Sequence, residues 1–141
     1  MAIWLLKTEP TNYSYADLER DGETIWDGVN NNLALKFLRE TREGDTALIY
    51  HTGDERAWVG IAKITRGAYA DPKLDDPKRA VCDVKALEKL ENPVTLAQIK
   101  AVCELENWAL VKNSRLSVVP VDAAQWTKLQ ELRARNDGAQ K

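Results

Sequence analysis

Histidine, cysteine and long apolar runs are scarce in this 141-residue chain, and each scarcity removes a class of function. Cys82 and Cys103 are the only cysteines; they stand far apart, within apolar patterns. Buried free thiols in a reducing compartment are therefore expected, rather than a disulfide framework. With His51 as the single histidine, a structural zinc site has too few ligands, and no metal is expected. No G-x-S-x-G, H-E-x-x-H or phosphate-binding glycine loop is present, so neither catalytic residues nor a cofactor are indicated. No apolar run approaches the roughly 20 residues of a membrane span. The first strand-like segment, Ala2-Ile3-Trp4-Leu5-Leu6, lacks a basic leader and a small-residue cleavage site. The expectation is a protein that is not secreted and works in the cytoplasm, on the nucleoid if bacterial. An excess of basic charge is missing as well. Net charge is −2 and the pI is about 5.5, which excludes a broad basic face gripping duplex phosphates nonspecifically. A small pocket that captures one base or nucleotide stays open.

What remains is an ordered chain, 44% hydrophobic and 30% charged, of a length that suits one core. A single domain over residues 1–135 is expected, with residues 136–141 as a frayed tail. Residues 2–8 read as a strand, and Ser14 with Asp17 as the opening of a helix that stops near Gly22. Asn31 or Asn32 caps a second helix whose apolar positions 34, 37 and 38 share a face. Strands over 46–51 and 57–64 follow, joined at Gly53-Asp54, and Gly60 within the second implies a bulge or a close neighbour. Residues 70–80 form a polar loop with two Asp-Pro pairs. Strands over 81–87 and 116–121 flank a helix capped by Thr95, and Asp122 caps a final helix. Such mixed order points to an α+β domain built on a small curved sheet or barrel.

The richest segment is Trp26-Asp27-Gly28-Val29-Asn30-Asn31. An indole among glycine and amides is either a core residue beside a turn or a stacking surface for a planar heterocycle, and these residues alone do not separate the two. Lys7 and Glu9 share one face of the first strand, as a surface ion pair or as polar groups in a cavity. His51, after Tyr50, is the one side chain poised to titrate near neutrality, and it either lines a pocket or is a simple hydrogen-bonded residue of the rim. Trp4, Trp108 and Trp126 lie in apolar patterns and are expected in the core. Trp58, beside Glu55 and Arg56, is expected at an exposed rim. Arg115 is a surface arginine or a phosphate contact.

Together the residues carry a resemblance. Trp4-Leu5-Leu6-Lys7-Thr8-Glu9-Pro10, Tyr13-Ser14, Trp26-Asp27-Gly28-Val29, Gly44-Asp45, Tyr50-His51-Thr52, Val59-Gly60-Ile61, Tyr69-Ala70-Asp71-Pro72, Pro93-Val94-Thr95-Leu96 and Arg115-Leu116-Ser117-Val118 run in the order of the EVE domain family. That family is a branch of the PUA-like superfamily and a distant cousin of YTH domains. Each segment is short; the ordered set is specific and spans nearly the whole chain. The resemblance implies a pseudo-barrel of about five or six strands flanked by short helices, with a ligand pocket at its mouth. It also implies a non-enzymatic reader of modified bases, 5-methylcytosine or 5-hydroxymethylcytosine in DNA above all, held after base flipping in an aromatic cage.

By that similarity Trp26 is a cage wall, and Asn30 and Asn31 line the base edge. Lys7, Thr8, Glu9, Tyr13 and Ser14 belong to the floor and rim. His51 and Arg115 lie near the opening, where a flipped nucleotide's phosphates pass, and Tyr50 and Ser117 are counted among the ligand-binding residues. Where many family members carry Arg-Asn after Trp-Asp-Gly-Val, this chain has Asn30-Asn31-Asn32, which removes a positive charge. The expected partner is a modified DNA base, with no membrane involved and the protein a monomer. Two alternatives stand beside this: a module that binds modified RNA, and an ASCH-like hydrolase of modified nucleosides using Lys7 and Glu9 as an acid–base pair.

Overall fold

The first strand, β1 (Ile3–Thr8), carries three consecutive buried side chains, Trp4, Leu5 and Leu6. A strand that is apolar on both faces must be covered on both, so it belongs inside a sheet. In the computed structural model, which describes residues 2–76 and 78–139, β1 lies between two partners. It runs parallel to β3 (Thr46–His51) and antiparallel to β6 (Val118–Val121). Two long strands, β4 (Ala57–Ala70) and β5 (Ala80–Thr95), extend the sheet beyond β3, and β2 (Glu23–Trp26) closes the far edge. The order is β2-β5-β4-β3-β1-β6, a mixed six-stranded sheet with short helices, hence α+β.

Local chemistry sets the helices. Helix α1 (Tyr15–Asp21) opens on a capping box in which Ser14 and Asp17 satisfy each other's backbone, and it ends at Gly22. Asn31, of the two amides that could cap α2 (Asn32–Leu38), accepts from the Ala34 N–H. Thr95 and Gln98 form a second capping box on α3 (Leu96–Lys100). A 3₁₀ turn and the short α4 (Ala109–Lys112) lead to β6, and α5 (Ala123–Ala139) packs on β5. The residue expected to cap α5, Asp122, accepts from the Gln125 N–H at 2.7 Å.

The β4–β5 ribbon is where the sheet acquires its shape. Its register shifts four times along its length, and irregularities of this kind increase local twist. Helix α2 packs against both β5 and β6, which lie toward opposite ends of the strand order. The sheet therefore curls into an open barrel around buried Ala34, Leu35 and Leu38.

Several expectations need correction. Strand β2 was not foreseen, because four residues with Glu23 and Thr24 at one end give almost no period to detect. Trp58 is fully buried rather than at a rim: its indole N–H donates to the Gly60 carbonyl at 2.9 Å and its ring meets Trp126 edge-on. The charged neighbours that suggested exposure belong to the turn before β4. Cys82 is buried, and burial pushes its thiol up to about 12, whereas Cys103 is exposed on the 3₁₀ turn. Residues 136–139 are helical rather than frayed. Asn136 and Gln98 exchange side-chain amide hydrogen bonds, and Asn136 also reaches the Pro93 carbonyl. Residues 140 and 141 lie outside the described residues.

Gly60 meets both of its expected conditions. The register shifts beside it, and a methyl group there would sit 2.5 Å from the Tyr15 ring. Tyr15 in turn donates to the Ile61 carbonyl at 2.7 Å, so the ring cannot swing away freely. Gly60→Ala is expected to destabilise the protein by about 1–3 kcal/mol, the usual cost of overpacking, measured by urea denaturation. An unchanged midpoint would mean that the Tyr15 contact is not tight in solution.

Candidate functional site

Curling the sheet leaves a seam between its two edges, and a cavity of about 530 Å³ occupies it. From one side come Lys7 and Thr8 at the end of β1, and Ser117 just ahead of β6. From the other come Thr24, Ile25 and Trp26 of β2, with Asp27, Gly28 and Val29 after it. Asn12 and Tyr13 enter from the β1–α1 connection, and Lys73 from the turn joining β4 to β5. Short hydrogen bonds fix these pieces. The Lys7 N–H donates to the Ser117 carbonyl at 2.9 Å, and the Thr8 hydroxyl donates to the Tyr13 carbonyl at 2.6 Å.

Tyr13 and Trp26 form the aromatic wall. Their rings lie 6.4 Å apart at 82°, an edge-to-face corner. The Tyr13 hydroxyl donates to Asp21 at 2.9 Å, which holds that ring in place. Trp26 is only 7% exposed, so most of its ring is core and its free surface faces the cavity. Gly28, at φ +78°, turns the chain in the left-handed region directly after this wall. Pocket and core therefore share the indole.

The charge balance here differs from that of the whole chain. Lys7 and Lys73 line the cavity against one carboxylate, Asp27. The Lys7 ammonium donates to the Ser114 carbonyl at 3.2 Å and lies 5.8 Å from the centroid of the Tyr50 ring. Burial disfavours its charged form and holds its pKa below the ordinary 10.5. Tyr50 is itself buried, its phenol pushed up to about 12, so it faces Lys7 as a neutral ring. Among the described residues no group of three or more His, Cys, Asp or Glu side chains could hold a metal ion.

Of the residues foreseen from sequence, Lys7, Thr8, Tyr13, Trp26 and Ser117 meet at this cavity. Seven others do not line it. Ser14 caps α1 and Asn31 caps α2, while Asn30 is exposed beyond Val29. Tyr50 lies beneath Lys7, and Arg115 is exposed on the loop before β6. Glu9 turns toward Thr11 and Thr52 and forms no ion pair with Lys7, so the acid–base pair is not assembled. His51 is buried: its Nε2 accepts from the Tyr15 N–H at 3.0 Å and its Nδ1 lies 2.6 Å from Glu55. Thr24 was missed with β2; once that strand is known, its spacing of two from Trp26 puts both on one face. Nothing local to Lys73 marks it, because a hairpin more than thirty residues long carries it there.

A family model described as EVE domain matches residues 2–132. The chain belongs to the EVE domain family. It is similar to thymocyte nuclear protein 1 of Homo sapiens, with 30% identity over 84% of this chain and 68% of that protein. Among solved structures, a protein of Rhodopseudomonas palustris is 40% identical with a TM-score of 0.89, covering 95% of this chain and 94% of that one. A crystal structure of the human thymocyte protein in complex with DNA containing 5-methylcytosine is 28% identical with a TM-score of 0.86; 94% of this chain and 98% of that chain are covered. The fold of this chain also resembles a Zygosaccharomyces rouxii YTH domain at a TM-score of 0.56, where 17% identity makes it a likeness of fold alone.

Two stability predictions separate the roles of the polar residues. Removing His51 would strand the buried Tyr15 N–H, so His51→Ala is expected to cost about 1–3 kcal/mol, read from denaturant melts; a parent-like variant would show that the N–H finds another acceptor. Lys7→Met should do the opposite and raise stability at pH 7 by about 0.5–1 kcal/mol, since it removes a desolvated charge. The sign follows from the lowered pKa: the penalty of folding a protonated Lys7 is present at neutral pH and fades as pH rises toward 10.5. A gain that persists unchanged at high pH would exclude desolvation as its cause.

Proposed function

We propose that this protein is a non-enzymatic reader that captures a flipped, modified base of DNA in the seam cavity, with 5-methylcytosine or 5-hydroxymethylcytosine as its target. The observation that carries the reading is the perpendicular Tyr13–Trp26 corner inside a cavity that also holds Lys7 and Lys73. A planar base stacks on one ring while the other closes its edge, and the two ammonium groups meet the phosphates on either side. The volume lies within the roughly 300–1,000 Å³ typical of small-ligand sites. The complex of human thymocyte nuclear protein 1 with 5-methylcytosine-containing DNA supports DNA, and a 5-substituted cytosine, as the preferred ligand.

Magnitudes constrain how tight such capture is. Unstacking a base costs a few kcal/mol and stacking on an aromatic returns about 1–3 kcal/mol. Stacking alone therefore roughly breaks even. Phosphate contacts from two lysines and hydrogen bonds to the base edge must supply the surplus. In a chain with a net charge of −2, micromolar, salt-sensitive binding follows.

The test is a titration of short single- and double-stranded DNA and RNA carrying 5-methyl-, 5-hydroxymethyl- and N6-methyl bases. Trp26→Ala should weaken binding of the preferred DNA by tenfold or more. Because Trp26 is also core, Lys73→Gln provides a second arm, lowering affinity and reducing the salt slope by about 1 with the fold intact. Equal binding of the whole panel by parent and both variants would refute the reading. A preference for modified RNA over modified DNA would move the function to RNA.

A further inference from the structure

Asp27 is the one carboxylate among the described residues lining the cavity, and it follows the Trp26 wall directly. Its side chain makes no hydrogen bond or ion pair with any described residue: neither Lys7 nor Lys73 reaches it. The residue is exposed, so water as well as a ligand can reach it. An aspartate before a turn glycine ordinarily bonds its own backbone two residues on, and here Gly28 makes the turn at φ +78° without that help. The fold does not use the carboxylate, and the cavity has it free.

The chemistry of the target gives such a group a task. Thymine carries the same 5-methyl group as 5-methylcytosine, and an amine and a carbonyl at C4 are nearly the same size. A pocket that judged only shape and the methyl group would fill with thymine, which ordinary DNA supplies in excess. What differs is polarity: cytosine presents N4–H₂ as a donor, and thymine presents O4 as an acceptor. An ionised carboxylate accepts only. It attracts the first and repels the second, so one group provides both the favourable contact and the discrimination against the competitor.

We propose that Asp27 is the specificity-determining residue of this site, accepting from the exocyclic amine of a 4-amino pyrimidine and excluding 4-oxo pyrimidines. This rests on the reading of the seam cavity as a base pocket. 5-Methylcytosine and 5-hydroxymethylcytosine both satisfy Asp27; thymine and uracil do not, whatever stands at C5.

The experiment uses single strands that are purine throughout except for one central 5-methylcytosine, cytosine or thymine, so that neither pairing nor a second pyrimidine intervenes. Affinities of the parent, Asp27→Asn and Trp26→Ala are compared by fluorescence anisotropy. The parent is expected to prefer 5-methylcytosine over thymine by about tenfold or more, the scale of a well-placed base-edge contact. Asp27→Asn should bring that ratio close to one, largely by strengthening thymine binding, because the new amide can donate to O4. Trp26→Ala should weaken both ligands alike and preserve the ratio. If the ratio in Asp27→Asn equals the parent's while Trp26→Ala still loses affinity, Asp27 is not the discriminator and the pocket reading stands. A parent that binds thymine as well as 5-methylcytosine also removes the role from Asp27. If Trp26→Ala matches the parent on every strand, or the parent binds none, the pocket reading fails and takes the role of Asp27 with it.

Discussion

The coiling of the β4–β5 ribbon is the constraint on which the other features depend. Two strands this long would lie as a twisted but open ribbon if their register were regular. The repeated shifts between Trp58 and Tyr69 bend it instead, and Gly60 lets the Tyr15 ring press against the ribbon at one bend. The curl brings β2, paired to the outer side of β5, round toward β1 and β6. Without it, Trp26 and Ser117 would sit at opposite edges of a six-stranded sheet. With it, they face one cavity.

That geometry accounts for how an acidic chain can carry a site with a local positive balance. Lys7 is placed by β1 and Lys73 by the far turn of the β4–β5 hairpin, so two cations from distant parts of the sequence converge. Lys7 is retained despite an unfavourable degree of burial, with a carbonyl and the face of Tyr50 as its compensation. A charge kept where desolvation opposes it is common at binding sites, because a ligand of opposite sign recovers what the fold loses. The same region leaves Asp27 without a partner among the described residues while nearby polar groups such as Ser14, Asn31 and His51 are taken up in caps and backbone bonds. The contrast divides the polar residues of this end of the barrel into those that hold the fold and those left for a ligand.

Much of the architecture was legible from local signals, because those signals are local in physical cause. The Ser14 and Thr95 capping boxes and the stop at Gly22 each arise from groups within a few residues of one another, and Gly60 betrayed its bulge by standing as a glycine inside a strand. β2 was not legible, since four residues on a sheet edge carry little periodicity. Trp58 was misjudged because charged residues in a turn say nothing about the strand that follows. His51 stayed open between a pocket role and a hydrogen-bonded one for a related reason. A histidine at a strand end looks titratable and accessible, and only the return of α1 over it supplies the Tyr15 N–H that occupies its ring nitrogen.

By itself the sequence determined the family, most of the strands and helices and their caps, and, through the family resemblance, that Trp26 and the end of β1 belong together. It did so through short-range hydrogen bonding and through an ordered set of segments. Only the tertiary structure decided which polar groups reach the cavity. Asn30 and Asn31 follow Trp26 in sequence and turn away into the α2 cap, while Lys73, forty-seven positions from Trp26, arrives at its side. The reason is that a side chain's availability depends on what else satisfies it. Asn31 finds a backbone donor three residues on, a local cap that the sequence already suggested, whereas Lys73 reaches the cavity only through the long-range course of the β4–β5 hairpin, which adjacent residues in the chain do not record.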